Sequence, residues 1–328
     1  MIAISGANGL LGSFIVRKLI DEQKPFVALK RNGSDTSLLH DVAEKISWRD
    51  ADILNPLSLE EALNGCTHVI HSAAVVSYNP RRADEIMEIN TIGTRNVVNA
   101  CMEQKIKKLV HISSVAALGR QKDQILIDEK NKWVDSPANS VYAKSKYRAE
   151  LEVFRGQEEG LNTVTLNPSV ILAPADWHRS SAQLFKYSWK RRPFYIDADL
   201  NYVDVRDVAT IACKFLESTH SAERFIINAG NISFKSLFEK MAAHFKVKPP
   251  GILISKKMLM IIAKSEAVRS LLAGSEPIIT RETAQIADTR FFYDNEKIKK
   301  ILNFEFQSID KTLEWCCNYY NKKFSPKK

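Results

Sequence analysis

The chain has 328 residues and a formal net charge of +9, with 45% hydrophobic and 26% charged residues. This length favours two lobes or one large α/β unit, and the composition excludes collagen-like, wholly disordered and disulfide-rich secreted proteins. The five cysteines are scattered and form no CxxC pair, so we expect neither a disulfide framework nor a metal site. This cysteine usage predicts a reducing, cytoplasmic location.

The basic charge is compatible with nucleic acid, a membrane surface or anionic small molecules as partners. No basic helix is interleaved with exposed aromatic residues, so we expect no nucleic-acid module. The chain runs from Met1 directly into a glycine motif, which predicts that there is no signal peptide. The apolar run at 258–263 is too short for a transmembrane segment, which needs about 20 residues.

In the first two-thirds of the chain, short apolar runs alternate with longer amphipathic runs. Because strands that alternate with helices form right-handed crossovers, we predict an α/β fold with a Rossmann-type doubly wound parallel sheet. The predicted strands are 2–5, 26–30, 68–72, 108–113, 163–172, 202–205 and 225–229. The predicted helices between them are 10–21, 57–64, 84–104, 141–159 and 206–217.

After about residue 233 the predicted elements are mainly helical. The predicted helices here are 234–245, 256–272, 279–289 and 308–320. We therefore predict an N-terminal domain at 1–172, to which 202–230 return, and a smaller, mostly helical C-terminal substrate lobe at 173–328. The apolar residues of the second helix predict a packed face or, as the less favoured alternative, an interfacial membrane helix: Met258, Ile261, Ile262, Leu271 and Leu272.

A glycine motif lies between the first predicted strand and the first predicted helix. Gly6, Gly9 and Gly12 form GxxGxxG, which allows a tight turn and close approach of the backbone to a phosphate. The helix N-terminus then offers N–H groups and a positive dipole to a pyrophosphate. The turn therefore predicts a dinucleotide site, which also includes Asn8, Leu10 and Leu11.

The end of the second predicted strand bears on the choice of cofactor. NAD sites usually place an acid there, about 20 residues past the glycine turn. Here the residues are Lys30 and Arg31, and an arginine can bind a 2′-phosphate with two hydrogen bonds. We expect NADP(H), with NAD(H) as the alternative if Arg31 only stacks on adenine. Asp52, beside Ile53, is a candidate partner of the adenine amino group or a helix cap.

Tyr142 and Lys146 are four residues apart, so a helix places them on one face. A nearby ammonium lowers the pKa of a tyrosine from about 10, which makes Tyr142 a candidate general acid/base. Lys146 can also bind the nicotinamide ribose, and Ser114, after a buried strand, can bind the substrate oxygen. The same spacing recurs in the late helical part, where we predict surface pairs: Tyr293/Lys297 and Tyr319/Lys323.

Together these motifs resemble the extended short-chain dehydrogenase/reductase superfamily, which includes the NAD-dependent epimerases and dehydratases, nearly end to end. Stretches 31–39, 193–209 and 274–292 are most similar to dihydroflavonol-4-reductase-type proteins and hopanoid-associated sugar epimerases. The resemblance implies that NAD(P) is bound by the N-terminal lobe and the substrate by the C-terminal lobe. It also implies a homodimer that forms through the helices holding Asn90 and Tyr142.

The resemblance implies further cofactor residues: Ser72, Ala73, Ala74, Asn90, Pro168 and Ser169. Asn90 would hold a water near Lys146, although an ordinary polar position is the alternative; Pro168 is alternatively a strand terminator. Three departures argue against a nucleotide-sugar substrate. The acid pair of the dehydratases is missing after Ser114, Leu118 replaces a tyrosine of many epimerases, and 197–201 contains two aspartates but no arginine. Arg191, Arg192 and Arg206 are candidate substitutes for that arginine.

We therefore predict an oxidoreductase that transfers hydride reversibly between NADP(H) and a small secondary alcohol or ketone. The alternatives are a sugar epimerase that retains NAD and, from another class, an NADP(H)-sensing protein without chemistry. An aromatic-rich stretch predicts either a pocket for a flat or apolar substrate or a cover over the core: Trp177, His178, Phe185, Tyr187 and Trp189. His178 is also a candidate second acid/base, whereas His71 and His111 are predicted to be structural.

Overall fold

The computed structural model describes residues 1–119, 124–136, 139–177, 181–273 and 290–324. Its strands are β1 (Ile2–Ser5), β2 (Phe26–Lys30), β3 (Trp48–Asp50), β4 (His68–His71), β5 (Lys108–Ile112), β6 (Leu126–Ile127), β7 (Thr163–Pro168), β8 (Val170–Leu172), β9 (Phe194–Tyr195), β10 (Asp199–Asp204), β11 (Glu223–Ile227), β12 (Gly230–Ser233), β13 (Ile252–Leu253) and β14 (Phe292–Tyr293). Its α-helices are α1 (Leu10–Asp21), α2 (Pro56–Leu63), α3 (Ala83–Met87), α4 (Gly93–Glu103), α5 (Val141–Glu158), α6 (Ala182–Trp189), α7 (Val205–Leu216), α8 (Phe234–Phe245), α9 (Lys256–Ala273), α10 (Glu296–Leu302) and α11 (Ile309–Phe324).

Seven strands form a parallel sheet in the order β11-β7-β5-β4-β1-β2-β3. Alternate residues of β1 enter the two hydrophobic cores on the opposite faces of the sheet, with Ile2 and Ile4 on one face and Ala3 on the other. Helices α1 and α7 cover the first face, and α2, α4 and α5 cover the second. Both faces are therefore buried, and the predicted Rossmann-type doubly wound sheet is confirmed.

A third hydrophobic core lies among α6, α8 and α11, beside a small sheet with the strand order β12-β10-β8. The aromatic residues after Pro174 fill this core. Trp177 stacks on Tyr320 with ring centroids 4.2 Å apart, and Trp189 meets the edge of Phe245. These residues therefore cover a core rather than line a pocket, while His178 lies outside the described residues.

Two predicted elements differ from the structure. The predicted strand 163–172 is two strands, because β7 ends at Pro168 and β8 belongs to the small sheet. Proline has no N–H to donate, and the Ser169 N–H makes the next bond to β11 by donating to the carbonyl of Ile227, before the chain enters the small sheet. The predicted helix 84–104 contains a π-helical turn over Glu88–Ile92, and the predicted helix 279–289 lies outside the described residues.

The packed face predicted for α9 is wrong at Met258 and Ile261, which are exposed, whereas Ile262 is half-buried. Leu259, Ala263 and Ser270 are buried on this helix. The side chains of Leu271 and Leu272 are not among those that the structure describes. Among the described residues no helix combines the length and apolarity that crossing a bilayer requires. All five cysteines are described, and each is a buried free thiol.

Candidate active site

The glycine turn after β1 is pressed against the end of β4. Gly6 has a φ of 70°, and a Cβ at this residue would lie 2.6 Å from the backbone nitrogen of Ala73. A Cβ at Gly12 would collide with the carbonyl oxygen of Gly6. Only glycine therefore allows the backbone to fold this closely, which leaves a concave turn at the carboxyl edge of the sheet.

The N-terminus of α1 opens into this turn. Gly9 is the N-cap residue and no side chain caps the helix. The Gly9 N–H donates to the carbonyl of Gly6, and the Ser13 N–H donates to that of Gly9. By helix geometry the N–H groups of Leu10, Leu11 and Gly12 lack intrahelical acceptors. A pyrophosphate fits this set of donors and the positive end of the helix dipole.

The residues after β4 and β7 lie at the same edge. The Ser72 N–H donates to the carbonyl of Ser5 over 3.2 Å, and Ala73 abuts Gly6. Pro168 ends β7, which is two strands away from β4 in the sheet, and Ser169 follows it. Open α/β sheets bind ligands at the carboxyl ends of their strands, so this edge is the expected position of a cofactor.

A pocket of about 500 Å³ adjoins the ends of β2 and β3. Its lining residues are Arg31, Asn32, Gly33, Ser34, Asp50, Ala51, Asp52, Asn55 and Ser58. Lys30 forms an ion pair with Asp50, with 3.0 Å between Nζ and Oδ1. Arg31 is exposed and is the one cation among these lining residues. Asn8 connects the glycine turn to the loop after β2, because its Nδ2 donates to the carbonyl of Asp35.

Asp52 closes a local turn and does not cap a helix. Its Oδ1 accepts from the Leu54 N–H over 2.9 Å, whereas Asn55 caps α2. The helix-cap alternative for Asp52 is therefore wrong. Ile53 next to it contacts the helix behind, because its carbonyl accepts from Asn96 and its side chain lies against Gly93. These contacts hold the floor of the pocket in place.

Helix α5 carries the predicted catalytic pair. Ser140 caps the helix by accepting from the Ala143 N–H, and the ring of Tyr142 meets the edge of Tyr78 with centroids 6.2 Å apart. Lys146 is only 2% exposed, and its Nζ donates to the carbonyl of Ile112 over 2.8 Å. Burial lowers the pKa of Lys146 to about 8, although the nearby carboxyl of Glu150 raises it.

Ser114 lies where β5 gives way to a short 3₁₀ turn, Val115–Leu118, which packs against α5. Its Oγ accepts from the Ala116 N–H over 3.2 Å, and its carbonyl accepts from Asn167. A hydroxyl that accepts one hydrogen bond still has its own O–H to donate. Ser114 is therefore held in position by groups that leave this donor available to a substrate oxygen.

Asn90 sits in the π-helical turn and is 1% exposed. Its Oδ1 accepts from the Val75 N–H, and its Nδ2 donates to the Val75 carbonyl and to Ser145 Oγ. Every polar group of the side chain thus has a protein partner. In this structure Asn90 ties the loop after β4 to α5, and π-helical turns of this kind are frequent at functional sites.

Glu150 is a site residue that sequence reasoning missed. It is buried one turn after Lys146, and its Oε1 accepts from Ser113 Oγ and from Asn167 Nδ2, each over 2.5 Å. The guanidinium of Arg224 lies 3.6 Å from Oε2. Burial raises the pKa of Glu150, and these partners oppose that rise. The spacing of four residues from Lys146 was the available signal, because it places both side chains on one face of α5.

Two histidines lie in the same layer beneath Lys146, with ring centroids 5.3 Å apart. His71 agrees with the structural role predicted for it, because its nitrogens bond Ser5 Oγ and Thr94 Oγ1. Burial lowers its pKa to about 3, so it is neutral. His111 differs, since neither of its ring nitrogens has a hydrogen-bond partner among the described residues.

The side chains of the other two YxxxK pairs are engaged by other parts of the protein. Tyr293 packs in a small core with Leu118 and Ile127, so the predicted surface pair is wrong for this residue. Lys297 donates to the Arg224 carbonyl, and Lys323 forms an ion pair with Asp176. Because these side chains have other partners, Tyr142 and Lys146 are the YxxxK pair at the carboxyl edge of the sheet.

Residues 2–230 match the family model described as the NAD dependent epimerase/dehydratase family. The chain belongs to this family. Its relatives in the family include the "Putative dihydroflavonol 4-reductase" of Synechocystis sp., which is 26% identical over 94% of this chain and 91% of that protein.

Two solved structures extend the similarity to the whole fold. The crystal structure of gox2253 matches with a TM-score of 0.85 and 28% identity, covering 100% of this chain and 99% of that chain. The UDP-glucose 4-epimerase of Thermotoga maritima matches with a TM-score of 0.80 and 18% identity, covering 99% of each chain. The epimerase likeness concerns the fold alone. This protein is thus an enzyme of a family that contains both reductases and epimerases.

Proposed function

We propose that this protein is an NADP(H)-dependent oxidoreductase that interconverts a small secondary alcohol and its ketone. The main observation in support is the position of Tyr142 and Lys146 on α5. The Lys146 ammonium is buried at the end of β5, two residues before Ser114. Residues 1–172, joined by 202–230, would bind the cofactor, and 173–328 would bind the substrate. The reductase name of the Synechocystis relative supports this direction.

Each side chain has a defined task in this reaction. The nicotinamide supplies or accepts the hydride when the cofactor is bound. Tyr142 gives its proton to the substrate oxygen in reduction and takes it back in oxidation. Ser114 donates its O–H to the same oxygen, while the charged Lys146 favours the phenolate of Tyr142 and binds the nicotinamide ribose.

The pocket after β2 supports NADP(H) over NAD(H). Lys30 is engaged by Asp50, and Asp52 accepts from the Leu54 N–H, so both acids have partners. The exposed guanidinium of Arg31 then lies at the rim, where it can form two hydrogen bonds with a 2′-phosphate. An NAD site would instead offer a carboxylate to the ribose hydroxyls.

The C-terminal lobe argues against a nucleotide-sugar substrate. Arg206 is a candidate diphosphate ligand by sequence, but its guanidinium is held by the buried Asp204 at 2.6 Å. The same guanidinium lies 4.0 Å from the ring centre of Trp315. Breaking this bidentate, stacked arrangement to bind a diphosphate would carry a cost, because the buried carboxylate of Asp204 would lose its cation.

The first experiment is a fluorescence titration of purified, cofactor-stripped protein with NADPH and with NADH, after identifying any nucleotide that comes off during stripping. We expect exchangeable, tighter binding of NADPH, followed by turnover in a panel of small ketones. Retained NAD that resists stripping, together with turnover of sugars, would overturn the proposal in favour of an epimerase. Binding without turnover in either panel would instead indicate a non-catalytic NADP(H) sensor.

A further inference from the structure

One face of the C-terminal region exposes large apolar side chains that do not pack against the protein. We call this face the α9 surface; its members are Phe194, Ile252, Met258 and Ile261, and each is exposed. Strands β9 and β13 bring two of them together, because Phe194 pairs with Ile252 in the register of the sheet. Single exposed apolar residues are normal, whereas a contiguous group marks an interaction surface.

Met258 and Ile261 are exposed because α9 packs against the rest of the protein through its opposite side. Leu259 and Ala263 face inward and contact Ile196 and Ile254. Met258 and Ile261 point the other way, so the helix is apolar on both sides. A helix of a water-soluble surface would place polar residues on its outer face, and α9 departs from that pattern at these positions.

The segments that carry the α9 surface are basic. Segments 190–194 and 246–264 contain eight lysines and arginines and no aspartate or glutamate. The exposed cations among them are Lys190, Arg191, Arg192, Lys246, Lys248, Lys257 and Lys264. The nearest acids along the chain, Asp197 and Glu266, form ion pairs with Arg290 and Arg269. An apolar centre with this excess of basic residues is complementary to an apolar layer that carries negative charge at its edge.

A second copy of the chain fits this surface less well than a lipid bilayer does. Two α9 surfaces placed face to face would bring their excess of basic residues together, because Asp197 and Glu266 already pair with other arginines, and like charges repel. The headgroups of anionic lipids neutralise the cations, while the acyl boundary beneath them accepts the apolar side chains. The charge pattern therefore favours the bilayer.

We propose that the α9 surface docks this protein on an anionic lipid bilayer without crossing it. The apolar side chains enter the interface and the surrounding lysines and arginines contact the headgroups. Docking in this way places the proposed site at the lipid, because α9 packs on the turn Pro80–Arg82, and Tyr78 of the same loop contacts Tyr142.

The test is cosedimentation of the full chain with vesicles of phosphatidylcholine alone or of phosphatidylcholine with about one-third phosphatidylglycerol. We expect binding to the anionic vesicles, and weaker binding when NaCl is raised from about 0.1 M to about 1 M, which shortens the Debye length from about 10 Å to about 3 Å. The double variant Ile252→Asp/Ile261→Asp should lower the partition coefficient at least about tenfold, equivalent to about 1.4 kcal/mol.

Ile125→Asp is the matched control, because Ile125 and Ile261 are both 64% exposed but Ile125 lies outside the α9 surface. This variant should bind anionic vesicles as the unaltered protein does, and all variants should keep their NADPH affinity and thermal unfolding midpoint. The proposal fails if the unaltered protein does not bind anionic vesicles. It also fails if the control Ile125→Asp reduces binding as much as the double variant does.

Sedimentation velocity separates the bilayer from a second copy as the occupant. The docking proposal predicts that Ile252→Asp/Ile261→Asp leaves the oligomeric state unchanged. If the substitution instead converts a dimer into a monomer and vesicle binding is absent, a second copy covers the surface and the proposal is wrong. These measurements need no turnover, so they stand or fall separately from the proposed reaction.

Discussion

The two ends of the proposed cofactor groove are built in different ways. At the catalytic end, Lys146, Glu150 and Asn90 are buried, and each bonds a neighbouring strand or loop. At the adenosine end, Arg31 is exposed, and the nearby ion pair of Lys30 with Asp50 is partly open to solvent. One end is held by buried polar contacts and the other by surface charges.

This difference has an energetic consequence. A buried polar group that loses its partner costs the free energy of its desolvation, so changes at the catalytic end disturb the fold as well as the chemistry. An exposed charge is screened by water and salt, so changes at the adenosine end alter ligand preference with little effect on folding. The catalytic end is therefore constrained, and the adenosine end is free to select between cofactors.

The largest expected effect is that of Tyr142→Phe on turnover. Removing the hydroxyl removes the proton donor, so we expect kcat to fall by about 10²–10⁴. NADPH affinity should change little, because Lys146 and the glycine turn remain. Steady-state kinetics with an active ketone and a fluorescence titration measure the two quantities, and an equal loss of both would contradict the role of Tyr142.

Glu150→Ala tests whether the catalytic end is structurally constrained. The substitution removes the acceptor of Ser113 and Asn167 and leaves Arg224 without its buried carboxylate. We expect the free energy of unfolding to fall by about 3–5 kcal/mol in urea denaturation. The control is Glu152→Ala on the same helix, which removes a partly exposed pair with Arg155 and should cost about 0–1 kcal/mol. Similar losses for both variants would remove the contrast between buried and surface contacts.

Arg31→Ser tests the adenosine end. Losing the hydrogen bonds of a guanidinium to a 2′-phosphate costs about 1.5–3 kcal/mol, so the Kd for NADPH should rise about tenfold to a hundredfold. The Kd for NADH and the stability of the fold should stay unchanged. Lys30→Ser is the matched control, because Lys30 already pairs with Asp50, and it should have a smaller effect. If the two variants weaken NADPH binding equally, Arg31 does not select the cofactor.

The smallest expected effect is a pH dependence confined to the catalytic end. Burial lowers the pKa of Lys146 to about 8, so the ammonium is present below that pH and is lost above it. NADPH binding should therefore weaken as pH rises through about 8, by up to about tenfold, because a hydrogen bond to a charged donor becomes one to a neutral donor. Lys146→Arg should flatten this dependence. The preference for NADPH over NADH should stay constant, since an arginine does not titrate in this range.

Much of the catalytic end was predictable because it depends on local order along the chain. The glycine turn, the buried strand before Ser114 and the four-residue spacing of Tyr142 and Lys146 all follow from residue type and helix or strand periodicity. Glu150 was missed because a glutamate four residues after a lysine reads as a surface pair. Its burial arises only when Ser113, Asn167 and Arg224 converge from three separate strands.

The adenosine end and the C-terminal lobe were less predictable for a related reason. Lys30 and Arg31 are adjacent cations, and the sequence gives no reason to separate their roles. Strand β3 brings Asp50 to Lys30, and this pairing is visible only in the structure. In the sequence, the aromatic residues after Pro174 are compatible with a pocket or with a core. In the structure, Tyr320 stacks on Trp177 and places them in a core, although Tyr320 is far along the chain. Side-chain partners supplied by distant segments leave no local signature.

Three features follow from the amino-acid sequence without the structure: the doubly wound parallel sheet, the position of the glycine turn, and the placement of Tyr142 and Lys146 on one helix. These features depend on alternation, spacing and backbone freedom, which are properties of short stretches. Three others depend on the folded chain: the burial of Lys146 at the Ile112 carbonyl, the contacts of Glu150 with two strand ends, and the exposed apolar residues of α9. Burial and the choice of partner depend on which distant segments meet, and that is a property of the packed chain.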